Sequence, residues 1–84
     1  MTYYLILCRS LTYAQRTASL LERAGISTHI LRTPKQISLH GCGYSVKIAQ
    51  RNLNAALSVL HRSGAGTPEI YLTEGDGSYR EVAL

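Results

Sequence analysis

"LLERAGISTHI" at residues 20–30 and "VLHRSGAGTPEI" at residues 59–70 run in the same order: an apolar pair, a basic residue, a glycine and then an extended segment. A glycine that follows a periodic apolar stretch supplies the left-handed residue that ends a helix. Each stretch therefore reads as the last turns of a helix passing into a strand. Two such units in one short chain describe a pair of similar βαβ halves.

Working outward, "YYLILC" from Tyr3 to Cys8 is continuously apolar, which suits a central strand buried on both faces. Thr12 and Gln15 match a capping box at the start of a helix. Ala14, Ala18, Leu21 and Ala24 then share one helical face, and Gly25 ends it. Residues 27–31 alternate and are β-branched, so they predict a strand. A long connection, 33–43, follows. Tyr44, Val46 and Ile48 alternate with Ser45 and Lys47, the pattern of a half-buried strand. Leu53, Ala56, Leu57 and Leu60 stand at i, i+3, i+4 and i+7 of an amphipathic helix, and Pro68 blocks its continuation. Residues 69–73 make a fourth strand. Residues 74–84 hold the turn "EGDGS" and then an edge strand or a loose tail. The expected architecture is one α+β domain over 1–84, a ferredoxin-like β-α-β-β-α-β sandwich. It has a four-stranded antiparallel sheet with two helices on one face. The first and third strands are then central neighbours.

Composition narrows the function. The net charge is +4, from nine Lys/Arg and five Asp/Glu, and the basic residues are scattered. A basic protein attracts anionic partners, but without a basic cluster, or the glycine-aromatic signature of an RNA-binding sheet, nucleic acid is not the expected partner. The six tyrosines read as core and edge filler. No run reaches the roughly 18 apolar residues of a membrane span, and no basic segment precedes "YYLILC", so the expected location is cytoplasmic, without membrane or signal peptide. Two cysteines are too few for a disulfide-built fold. No two of Cys8, Cys42, His29, His40 and His61 show zinc-site spacing, so neither a metal nor a cofactor is expected. Phosphate loops, nucleophile elbows and dinucleotide fingerprints are absent, which argues against an autonomous enzyme.

The chemistry-bearing stretch is "TPKQISLHGCGYSVKI", residues 33–48, where Cys42 stands between Gly41 and Gly43. A thiolate is the reactive form of cysteine, and flanking glycines both expose the sulfur and let backbone amides turn towards an anion. His40 is placed to tune the thiol, and Lys35, Lys47 and Arg9 add positive potential. In the expected topology this loop lies close to the N-terminus of the first helix, and Cys8 ends the neighbouring strand at the same sheet edge. Whether the two cysteines approach within disulfide range is left open. So is the alternative that Gly-Cys-Gly is a tight turn with Cys42 packed inward, since Cys42 shares parity with Tyr44, Val46 and Ile48. Cys8, on an apolar strand, is more simply a core residue.

"YYLI", "LLERAGI", "TPKQIS", "GCGYSVKI" and "AALSVL" together resemble a family of small bacterial selenium/sulfur (Se/S) carrier-like proteins, over most of the chain up to about Leu72. The most specific part is Pro34, Ile37, Ser38 and the Cys42–Gly43 pair. The resemblance implies a non-catalytic carrier or thiol relay. Cys42 would accept a sulfur or selenium atom as a persulfide-type adduct, Pro34, Lys35, Ile37, Ser38, Gly41 and Gly43 would frame it, and Cys8 would be a possible resolving thiol. The implied partners are sulfur or selenium donor and acceptor proteins. A rival reading makes the chain a binding module. Tyr3, Leu5 and Leu7 form one apolar face of the first strand, and a sheet with both helices on the other side leaves that face open. On that reasoning a homodimer or a docking partner covers it, unless the C-terminal segment does.

Overall fold

The computed structural model describes residues 2–38, 43–64 and 68–83. The strand β1 (Tyr3–Cys8) is followed by the helix α1 (Leu11–Arg23), β2 (His29–Arg32), a short 3₁₀ turn (Lys35–Ile37) and β3 (Tyr44–Ala49). A second 3₁₀ turn (Gln50–Asn52) leads into α2 (Leu53–Arg62), then β4 (Ile70–Thr73) and β5 (Arg80–Glu81). The strands form one antiparallel sheet in the order β2-β3-β1-β4-β5.

β1 lies between β3 and β4, as its two apolar faces require. Tyr4, Ile6 and Cys8 pair with Ile48, Val46 and Tyr44 of β3 and turn towards the helices. There Ala14, Ala18 and Leu21 of α1 and Ala56 and Leu60 of α2 meet Ile6, Val46, Ile48 and Ile70 in the main core. The alanines let both helices approach the sheet closely. At about 1.5–3 kcal/mol for each large apolar side chain buried, this cluster is the main source of stability.

The helix ends follow local chemistry. Ser10, not Thr12, is the N-cap of α1, and its Oγ accepts from the Tyr13 amide at 3.2 Å. The cap therefore lies two residues before the expected one, and Leu11 and Thr12 already belong to the helix. At the other end Gly25, at φ +85°, donates to the Glu22 carbonyl, and the Ile26 amide reaches back to Leu21. That pair of bonds is a Schellman motif. Ala24 becomes the C-cap and is exposed rather than part of the apolar face.

Two expectations are corrected. The sheet has five strands rather than four, because the chain after the turn pairs with β4: Tyr71 faces Glu81 and Leu72 faces Arg80. The Val82 amide donates to the Ile70 carbonyl at 2.9 Å, and its side chain joins the helix-side core. The helix-free face is also not an open apolar surface. Leu5 is fully buried there, with Leu7 and Ile37 beside it, and Tyr3, Leu31, Tyr71 and Tyr79 pack around them. The 3₁₀ turn and the C-terminal segment do the covering, so the argument for a homodimer or docking partner on that face loses its premise.

Candidate functional site

The connection from β2 to β3 is fastened at its base. The Thr33 amide donates to the Gly43 carbonyl at 3.1 Å, and the Thr33 and Ser45 hydroxyls share a hydrogen bond of 2.8 Å. Ser45 is fully buried on the helix-free side of β3, opposite Leu7. A buried hydroxyl without a partner costs about 1–3 kcal/mol, so this bond ties the start of the connection to β3.

Pro34, with φ −56°, then sets the chain into the 3₁₀ turn. The Ile37 amide returns to the Pro34 carbonyl at 3.1 Å and the Ser38 amide to Lys35 at 3.4 Å. Ile37 is the one apolar side chain of the turn, and it is driven onto Leu5 and Leu7 with 4% of its surface exposed. Lys35 remains in solvent. Pro34, Lys35, Ile37 and Ser38 thus share one turn, and Gly43 is joined to its base through Thr33. His40, Gly41 and Cys42 lie outside the described residues.

Gly43 precedes β3 against the end of β1. A Cβ on it would stand 3.9 Å from the Arg9 carbonyl, an ordinary contact, so packing alone does not demand glycine there. The loop base therefore sits where β1 passes into α1, the placement expected from the topology. Cys8 is the last residue of β1 and is buried, with its Sγ 3.7 Å from the Ile6 carbonyl and 3.9 Å from the Thr17 hydroxyl. It borders a cavity of about 400 Å³ that Arg9, Tyr13 and Glu69 also line.

The local charge differs from the sequence reading in two respects. Lys47 lies four positions along β3 from Gly43, about 13 Å away at strand rise, and its ammonium rests 4.7 Å above the Tyr3 ring. It belongs to the opposite end of the sheet. Arg32 is cross-strand from Tyr44 and holds its guanidinium 5.5 Å from that ring. It precedes Thr33 directly and so places a fixed positive charge at the loop base. The only sequence signal for it is its position before Thr-Pro; its role depends on the β2–β3 register. Among the described residues no three His, Cys, Asp or Glu side chains gather to hold a metal. None of the described helices is long and apolar enough to cross a membrane.

A family model described as "Putative Se/S carrier protein-like" matches residues 3–72. The chain belongs to that family. The match runs from the start of β1 to Leu72 within β4, takes in the 33–43 connection and ends before β5. β5 lies outside the matched region of this Se/S carrier-like chain. Neither the curated proteins nor the solved structures contain a match to it.

Proposed function

We propose that this chain is a cytoplasmic carrier of sulfur or selenium that works without catalysing a reaction of its own, with Cys42 as the acceptor. Its first four strands follow the order of a ferredoxin-like sandwich, and β5 extends that sheet. In the proposed step the Cys42 thiolate attacks the terminal sulfur of a donor persulfide. A sulfur–sulfur bond forms at Cys42 as the donor's bond breaks. The donor departs as a thiolate and takes a proton from water. One persulfide is consumed and one is made, so no outside oxidant or reductant is needed. A thiolate on an acceptor protein removes the terminal atom by the same exchange, and a selenium atom follows the same path.

The observation that carries this reading is the fastened base of the 33–43 connection within a match to the Se/S carrier-like family. Cys42 is covalently joined to Gly43, whose carbonyl closes the loop base beside Arg32 and the start of α1. Fixed positive potential favours a thiolate over a thiol. His40 is assigned the tuning role by its position two residues before the sulfur. Cys8, buried in the helix-side core, is a packing residue on this account and would resolve an adduct only after the end of β1 opens.

Alkylation rates across pH, together with mass spectrometry after exposure to a small-molecule persulfide, test the proposal on the wild type, Cys42→Ser and Cys8→Ser. The wild type and Cys8→Ser should each gain one sulfur atom and react well below the reference thiol pKa of about 8.5. Cys42→Ser should do neither. A Cys42 thiol that resists both reagents until the protein unfolds would overturn the carrier reading.

A further inference from the structure

The end of the sheet opposite the 33–43 connection carries a groove of about 510 Å³, within the range of about 300–1,000 Å³ usual for small-molecule sites. Its walls come from the start of β1, the start of β2, the end of β3 and the 3₁₀ turn that leads into α2. Tyr3, His29, Lys47 and Arg51 line it, and none of the described residues that line it is Asp or Glu. His29 and Lys47 are direct cross-strand partners. Glu22 borders an adjoining cleft beside His29 and accepts a 2.7 Å bond from the Thr28 hydroxyl. Among the described residues that line the groove the charged groups are thus Lys47 and Arg51, with the His29 imidazole beside them.

The chemistry of the lining narrows the ligand. Lys47 holds its ammonium over the Tyr3 ring at 4.7 Å. An anion offers that ammonium a stronger partner than an aromatic face does. On binding, Lys47 would turn to the anion and leave the Tyr3 ring free for a flat apolar group. Arg51 adds a planar fork of donors that matches phosphate oxygens. Two cations and an imidazole suit a phosphate monoester, with its several acceptor oxygens, better than a single carboxylate.

We propose that this groove binds a small phosphate monoester with a planar body, of the nucleoside monophosphate class. The phosphate is held by Lys47, Arg51 and His29, and the planar body lies against Tyr3. The site is independent of the sulfur chemistry, and Cys42→Ser should leave it intact.

The test is an amide NMR titration with adenosine monophosphate, run beside adenosine and inorganic phosphate as separate probes. Adenosine monophosphate should give saturable shifts confined to Tyr3, His29 and residues 47–52. Each half-ligand should bind about tenfold more weakly or worse, as should Arg51→Gln and Lys47→Gln, each of which removes a charge-assisted contact. Arg51 is exposed, so its variant keeps the test decisive if Lys47→Gln does not fold. Adenosine binding as tightly as the monophosphate would overturn the proposal, and so would inorganic phosphate doing the same. Non-saturating shifts spread over distant basic residues such as Arg16, Arg23 and Arg80 would overturn it too.

Discussion

Ile37→Ala is the perturbation that most directly tests how this molecule closes its second face. Ile37 is 4% exposed and meets Leu5, which is fully buried, and Leu7 at 8%. The substitution removes three carbons, worth about 2.4 kcal/mol at about 0.8 kcal/mol for each buried methylene. A cavity term raises typical Ile→Ala losses to about 2–5 kcal/mol. Here a three-residue turn can settle into part of the space, which places the expected loss near 2–3 kcal/mol. A domain of this length has a total stability of about 4–13 kcal/mol, so the loss is a large fraction of it. The melting temperature should fall by roughly 10–15 °C at the per-residue unfolding entropy usual for small domains. Urea titration of the wild type, Ile37→Ala and Ile30→Ala reads the difference. Ile30 is the same side chain at 38% exposure on the edge strand, and its truncation should cost less than about 1 kcal/mol. If Ile37→Ala costs no more than Ile30→Ala, the turn does not cover Leu5 and Leu7 in solution. The helix-free face would then be open after all, and concentration-dependent self-association of the wild type would be the next thing to measure.

Thr33→Val should destabilise by about 1–3 kcal/mol, because it leaves the buried Ser45 hydroxyl without its partner. Thr33→Ser should restore most of the loss, and equal denaturation midpoints for Val and wild type would show that the bond does not fasten the loop. Asp76, in the β4–β5 turn, accepts from the Ser78 hydroxyl at 2.6 Å and from its amide at 3.0 Å. These bonds hold its carboxyl below the usual 3.8, the hydroxyl more strongly than the amide. A carboxyl depressed on folding stabilises at pH values above its unfolded pKa, and the contribution is lost as pH falls through the folded one. The β4–β5 turn should therefore loosen only in acid below about pH 4, with the Ser78 amide signal following the Asp76 titration. An Asp76 carboxyl titrating at or above the reference value would refute this.

The parts of the fold legible in the sequence are those written as repeats. The spacing of Leu53, Ala56, Leu57 and Leu60 gave a helix over Leu53–Arg62, and the alternation from Tyr44 gave β3. The double-sided apolar character of "YYLILC" required cover on both faces of β1, and both faces are covered. What supplies the second cover was not legible, because Ile37 is one apolar residue among polar neighbours and has no period to announce it. β5 escaped notice as a definite strand for a related reason. Two residues are too few to alternate, and pairing with β4 rather than local preference makes them a strand. Thr12 and Gln15 matched a capping pattern, yet Ser10 two residues earlier offered an equivalent hydroxyl. Only backbone geometry separates the two.

The candidate site divides along the same line. Its residues were visible as a motif, but its closure was not, because the bonds that make it join Thr33 to Gly43 and Ser45 across the turn. Ser45 is the informative residue. In the strand pattern it is only the polar partner of Tyr44 and Val46, suited to solvent, yet it is fully buried. A valine there would pack at least as well against Leu7, so the serine contributes little net stability. What it contributes is register. A hydroxyl that must find a partner inside an apolar face fixes Thr33 above position 45, and with it the distance between Arg32 and Gly43. Geometry at the loop base is then held by a polar pair that is costly to break, while the contacts of Ile37 keep the rest of the turn on the sheet. On the proposed carrier reading, a thiol that passes an atom between two proteins gains from a base held in this way, since each exchange needs the same approach.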